Sequence, residues 1–462
     1  MSRQTSAVTR SNALALASLC LATFLIPQAM SAVNIALPMV AEELAADAVA
    51  ISWLSTINLW GSVVLMLPAG RLADMLGRKR VYLTGTLCFT LASLLVFLPQ
   101  SVESLLVIRL LQGLSSSLVF GTALAMASAL ASDKNRGMSL GFVSTSVYLG
   151  LTCGPTLGGW LTELLGWRSV FWAPTPLLAL AVTLVLLTIK GDWKSEKPGK
   201  FDWRGSLLFV SWTSALFFAL SGLPDWPYLL LLAVGFLLLA WFIHQQKANS
   251  QPLVNINALQ QNRVLNRSML AGLFMYAAHA PLLFLFSLYL QYIQQMSPAD
   301  SGQLVLLQAL MMACFAPIAG RLSDRFDARM IATSGCLIFA SGFICLIGIN
   351  AETSMTQLVI GLLLLGTGFG FFSSPNNNAA LSAVPKDRLS IATALLSLSR
   401  TLGNMFSMAI VVLLFNQILG NSQLKPEQYP DLLFVLQFSL SLCLIYSLIA
   451  AYNSWSRGRV SE

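Results

Sequence analysis

Gly70-Arg71-Leu72-Ala73-Asp74-Met75-Leu76-Gly77-Arg78-Lys79-Arg80 is a short basic loop between two apolar runs, and the chain uses it twice. The second copy is Gly320-Arg321-Leu322-Ser323-Asp324-Arg325-Phe326-Asp327-Ala328-Arg329. It begins 250 residues later with the same Gly-Arg-Leu-small-Asp order. Gly70 and Gly77 permit close approach and a tight turn. Asp74 can pair with the basic cluster or with a helix N-terminus. One loop recurring at equivalent places implies one architecture recurring, so the chain reads as two similar halves.

Outside these loops the sequence is strongly apolar. Of 462 residues, 56% are hydrophobic and 10% charged; a soluble protein carries about 25% charged residues. Apolar runs of about 20 residues, enough to cross a bilayer core, recur from end to end. Fourteen candidate helices follow, with approximate limits 12–38, 49–74, 80–99, 103–130, 138–162, 169–189, 205–222, 227–245, 267–292, 300–321, 329–349, 354–383, 389–417 and 431–452. An even number puts both termini on one side. With the N-terminus taken as cytoplasmic, 23 of the 27 Lys and Arg fall in cytoplasmic segments. Only Arg168 and Lys425 fall on the opposite side, and Arg109 and Arg400 lie inside spans. This one-sidedness is the positive-inside pattern. It also disposes of nucleic acid as the partner of a chain with net charge +8, because the basic residues are spread over short loops and form no single patch.

The charged stretch 191–204, with Pro198 and Gly199, reads as a cytoplasmic linker. It separates a six-helix half (1–190) from a two-helix insert (205–245) and a second six-helix half (246–462). The expected fold is therefore all-α, with fourteen transmembrane helices arranged six, two, six and both termini cytoplasmic. Ala29-Met30-Ser31-Ala32 loosely resembles a signal-cleavage site, but the apolar run continues to Pro38, so a first span is expected. Seven cysteines, all in apolar runs and without Cys-x-x-Cys spacing, read as packing residues. No phosphate-binding loop or metal cluster is present in the sequence, and only two histidines, His244 and His279. An enzyme is not expected.

Three further motifs lie inside spans. Arg109-Leu110-Leu111-Gln112-Gly113 places an arginine where charge is costly. Gly150, Gly154 and Gly158 repeat every four residues on one helix face, beside Pro155 and Gly159. Val33-Asn34-Ile35-Ala36-Leu37-Pro38 ends the first helix, and Gly166-Trp167-Arg168 follows the fifth. Taken in order, the loops and motifs resemble the major facilitator superfamily, and over almost the whole chain they are similar to its fourteen-helix drug:proton antiporters. That resemblance implies the major facilitator fold, with a cavity between two halves. It implies a cytoplasmic gate at Gly70, Asp74, Gly77, Arg78 and Lys79, repeated at Gly320, Asp324 and Arg325. The second gate is expected to be looser, since Asp327 or Ala328 stands in place of the glycine. It ties Arg109, Gln112 and Gly113 to proton transfer, and Gly150, Gly154, Pro155, Gly158 and Gly159 to antiport. It implies a monomer in a bacterial-type inner membrane, moving a small molecule against protons, with no cofactor beyond the proton gradient.

The chain departs from the resemblance at Ala29, where many such antiporters carry an aspartate, and no carboxylate lies mid-span. His279, beside Pro281, is the candidate proton acceptor on residue type. Gln28, Asn34, Asn58, Gln291, Asn376, Asn377, Asn378, Arg400 and Asn404 are the candidate cavity residues. The expected function is proton-coupled export of small hydrophobic or amphipathic compounds. The alternatives are a dedicated exporter of one endogenous, anionic or polar metabolite, and a non-transporting membrane sensor.

Overall fold

A computed structural model describes residues 2–131, 136–193, 201–323, 325–385 and 389–458. Among these, the regular structure is helical throughout. The first half contains α1 (Ser2–Glu43), α2 (Ala48–Val64), α3 (Met66–Leu76), α4 (Arg78–Leu94), α5 (Val102–Leu130), α6 (Arg136–Leu165), α7 (Ser169–Trp172) and α8 (Thr175–Thr188). An antiparallel pair follows, α9 (Trp203–Gly222) and α10 (Trp226–Ala248). The second half comprises α11 (Ile256–Gln261), α12 (Arg263–Leu288), α13 (Pro298–Ser323), α14 (Ala328–Leu346), α15 (Met355–Ser382), α16 (Leu389–Leu414) and α17 (Tyr429–Ser456). In hydrocarbon every backbone polar group needs a partner within the chain, and helices satisfy that locally. Polar side chains start several of them. Asp47 accepts from Ala50 N, Asp202 from Gly205 N, and Asn262 from Leu265 N.

Helix occupies all fourteen expected positions, but the count of spans is smaller. Among the described residues twelve stretches are long and apolar enough to cross a membrane, thirteen when α2 and α3, bent by 43° at Leu65, are taken as one. The stretch not among them is α6, a helix of 30 residues. It is rich in Gly, Ser and Thr because it is a packing helix. A side chain at Gly150, Gly154 or Gly158 would run into the α1 backbone or side chains at Phe24, Gln28, Ser31 or Ala32. Small residues there let α1 and α6 approach closely.

The halves meet chiefly through α6 with α13 and α2 with α16, while α9 packs on α16. α10 leaves Leu230, Phe236, Leu237 and Trp241 exposed, a surface suited to lipid. At the end remote from the Gly70–Arg80 loop the halves are joined. Thr156 Oγ1 donates to Gly302 O at 3.0 Å, Ser287 Oγ to Asn34 O at 2.6 Å, and Ala48 N to Ser422 O at 2.9 Å. Ala299 N donates to Glu163 Oε2 at 3.1 Å. Gly159 lies against Pro298 so closely that a side chain would not fit.

Candidate substrate cavity and gating loop

Three adjoining hollows, which share lining residues, run inward from the opposite end. The widest, about 850 Å³, is lined by Ser144, Thr145, Ser374, Asn377 and Asn378 on α6 and α15. Two smaller hollows, about 120 and 130 Å³, lie between the halves, and Tyr148 lines all three. Among the described residues their walls carry no Asp or Glu.

Arg109 lines one small hollow at 2% exposure, so it is buried and does not reach out to the interface. Its Nε donates to Leu54 O at 2.9 Å and its Nη1 to Gln112 Oε1 at 3.1 Å. Gln112 Nε2 then donates to Ser93 Oγ at 2.8 Å, and Asn58 Nδ2 to Arg109 O at 3.0 Å. Gly113 explains how α2 and α5 come close enough for this: a side chain there would run into the backbone of Asn58. The guanidinium is thus held by one backbone carbonyl and one side-chain amide, with no carboxylate partner among the described residues. Asn34, Asn58, Pro155, His279 and Asn404 line the same hollow. Asn34 Oδ1 accepts from Ser55 Oγ at 2.8 Å. The His279 ring stands 4.8 Å from that of Phe369.

Arg400 and Asn404, one turn apart on α16, line the second small hollow. Arg400 donates through Nη1 to the Tyr148 hydroxyl of the other half and through Nη2 to Ser397 Oγ at 2.8 Å. Its Cζ stands 5.4 Å from the Tyr148 ring and 5.6 Å from the Tyr276 ring, within cation–π reach.

Three residues expected at the cavity sit elsewhere. Gln28 is buried in the α1–α6 contact, beneath Gly154. Gln291 belongs to the joined end, donating to Ile35 O at 3.0 Å. Asn376 is a structural clamp: it donates to Ser268 O at 3.1 Å and accepts from Arg457 Nη1 at 2.9 Å. Conversely, Tyr148, Tyr276 and Gln308 line the hollows without having been expected there. Tyr276 and His279 are three residues apart on one helix face, which was the available signal.

The loop after α3 is built as a tied turn. Arg78 donates to Asp74 Oδ1 through Nε at 3.0 Å and Nη2 at 2.9 Å. Gly77 has φ +115°, and the Asp192 carboxylate occupies the space a side chain would need. Asp192 accepts from Lys79 N at 2.8 Å and Arg80 N at 3.3 Å, capping α4, and Arg78 N donates to Trp193 O at 3.1 Å. Lys79 Nζ reaches Ile189 O at 2.5 Å. The start of the linker is therefore docked on this loop. In the second copy Asp327 caps α14 itself, accepting from Arg329 N at 2.9 Å, so no glycine is needed. Gly320 faces Ser374, and Arg325 lies in the turn before α14. Asp324 lies outside the described residues.

Comparison with known proteins agrees with this geometry. A sequence model of the Major Facilitator Superfamily matches residues 19–408 and 268–452. The chain is 29% identical to multidrug resistance protein Stp of Mycobacterium tuberculosis, over 82% of this chain and 71% of that one. It is 27% identical to riboflavin transporter RibZ of Clostridioides difficile, over 88% of both. In structure it resembles a bacterial homologue of the human lysosomal transporter Spinster, with TM-score 0.67 and 14% identity, over 97% of each chain.

Proposed function

Because the chain belongs to the Major Facilitator Superfamily, we propose that it is a proton-coupled exporter of small hydrophobic or amphipathic compounds, working by alternating access. The observation that carries this reading is the run of hollows from the Gly70–Arg80 end to Arg109 and His279, met at the far end by joined halves. That is the shape of a transporter open to one side. The open side is the cytoplasm, where the basic loops and both termini lie, and the membrane is a bacterial inner membrane. With α6 counted as a span the helices number fourteen, six in each half and two in the insert. The working unit is a monomer without a cofactor.

Asp74, Gly77, Arg78 and Lys79 act as the hinge of the cytoplasmic gate, since their bonds tie α3, α4 and the linker into one piece. Arg109 and Gln112, with His279 across the hollow, form the proton-coupling group. The glycine face of α6 is the sliding contact for α1. Multidrug efflux is the favoured form of the activity, supported by a relative named for it. The second reading, a dedicated exporter of one compound, is supported by a relative named for riboflavin. Expression in an efflux-deficient bacterium tests both. Lower accumulation of several unrelated dyes, abolished by an uncoupler, is expected. Response of a single metabolite supports the second reading, and efflux that survives the uncoupler rules out proton coupling.

A further inference from the structure

Taking the hollows as the transport path, we propose that the two small ones form a site for planar aromatic anions, with Arg400 as the charge that selects them. Arg400 has two phenol rings and two hydroxyls around it and no carboxylate among the described residues. Arg400 is half-buried; a charge partly removed from water without a counter-ion is costly, and an entering anion supplies that counter-ion. Among the described residues the walls carry a second guanidinium, Arg109, and no acid, so the formal charge lining them is positive. A lipophilic cation meets repulsion from both guanidiniums and finds no carboxylate among the described residues.

The rest of the wall specifies the other half of the ligand. Tyr148, Tyr276 and Phe369 present aromatic surface to the hollow, with Tyr276 and Phe369 packed edge to face at 5.0 Å. Flat rings stack on such walls. Two side chains that line the space hold polar atoms without partners while being more than nine-tenths buried. These are the Tyr276 hydroxyl and Gln308 Nε2. Both can donate a hydrogen bond, and donors left unmade in a buried site are worth explaining. Tyr276 borders both small hollows, Gln308 one and Arg400 the other, so a carboxylate or another planar acid group meets a donor in each. A carboxylate reaching Arg400 competes with the Tyr148 hydroxyl for Nη1. Because Tyr148 is on α6 and Arg400 on α16, binding would replace a bond between the halves with a bond to cargo.

The test compares 1-naphthoate, 1-naphthamide and 1-naphthylmethylammonium, which share a ring and differ in charge. Binding to the purified full chain is measured by equilibrium dialysis. The wild type is expected to hold naphthoate at least about tenfold tighter than naphthamide, the range of one charge-assisted hydrogen bond, and to hold the ammonium weakest. In Arg400→Gln the naphthoate-to-naphthamide ratio falls to about one, and in Arg400→Lys it stays between the two. A wild-type ratio near one or tighter binding of the ammonium overturns the proposal, as does a ratio that survives Arg400→Gln. If Arg400→Gln does not fold, Arg400→Lys carries the assignment, and a ratio there undiminished from wild type overturns it. Transport is read separately in proteoliposomes with an imposed pH gradient. Naphthoate preferred in binding but not moved by the gradient overturns proton-coupled export and leaves the site standing. Gradient-driven dye transport without naphthoate preference does the reverse.

Discussion

Replacing Gly302 by alanine should open the joined end of the molecule. A Cβ at Gly302 would lie 2.5 Å from Pro155 O, while ordinary contact begins near 3.4 Å. The α6 and α13 backbones must then part by about 0.9 Å, the difference between these distances. That movement stretches the Thr156 Oγ1 to Gly302 O bond from 3.0 Å to beyond hydrogen-bonding range. Overpacking of this kind costs about 1–3 kcal/mol, and the lost bond about 0.5–1.5 kcal/mol more. Only the state in which α6 and α13 touch bears the cost. Its population relative to the state open at that end should therefore fall about tenfold to a thousandfold, at 1.4 kcal/mol per factor of ten. Hydrogen–deuterium exchange reads this directly. Amides of 156–166 and 299–305 should exchange faster by that factor, while those of α10 stay unchanged. Gly141→Ala, on the same helix but with nothing within 4 Å of its Cβ, is the control. Unchanged exchange in folded Gly302→Ala would refute the view that this contact holds the end shut.

Arg109→Ala removes the donor to Leu54 O and Gln112 and should reduce gradient-driven dye transport at least about a hundredfold, while Arg109→Lys recovers little, since one ammonium cannot reproduce the planar fork; transport within about threefold of wild type would remove Arg109 from the coupling group. Gly77→Ala forces a side chain into positive φ against the Asp192 carboxylate, and Asp192→Ala removes the α4 cap. Each should cost about 1–2 kcal/mol locally, seen as faster trypsin cleavage at Arg78–Arg80, and their effects should be less than additive because they act on one contact. Asn376→Ala leaves the buried Arg457 guanidinium with one partner fewer and should lower the unfolding temperature without altering dye selectivity; a changed selectivity would return Asn376 to the cavity.

The architecture was largely legible because each of its determinants is local. Apolar length marks a helix, and the sorting of Lys and Arg marks an end of the molecule. Asn34, Asn58, Arg109, His279 and Asn404 were also recoverable, since a polar residue in an apolar run is conspicuous by itself. What escaped was anything decided by partners far away in the chain. Asn376 looks like a pore amide until Arg457, 81 residues on, is seen to claim it. Tyr148 and Tyr276 look like core residues, because a ring in an apolar run gives no hint that it borders a hollow. Asp192 lies in a charged linker and reads as solvated, yet it caps a helix that begins 114 residues earlier. The span count turns on the same kind of partner. The α6 sequence trades apolarity for closeness to α1 and α13, and composition alone cannot tell that exchange from weak membrane character.

The joined end is written mostly in main-chain atoms. Gly302 O, Asn34 O, Ile35 O, Ser422 O, Ala48 N and Ala299 N make its bonds, and Gly159 makes its closest approach. The hollows, in contrast, are written in side chains such as Tyr148, Tyr276, Gln308 and Arg400. Mutation reaches these two parts unequally. Most substitutions replace a side chain and leave the carbonyl and amide beside it in place. A lineage can thus revise what its cavity accepts, one residue at a time, while the closure survives unedited. The exceptions are the glycines at the seam, where inheritance has little latitude.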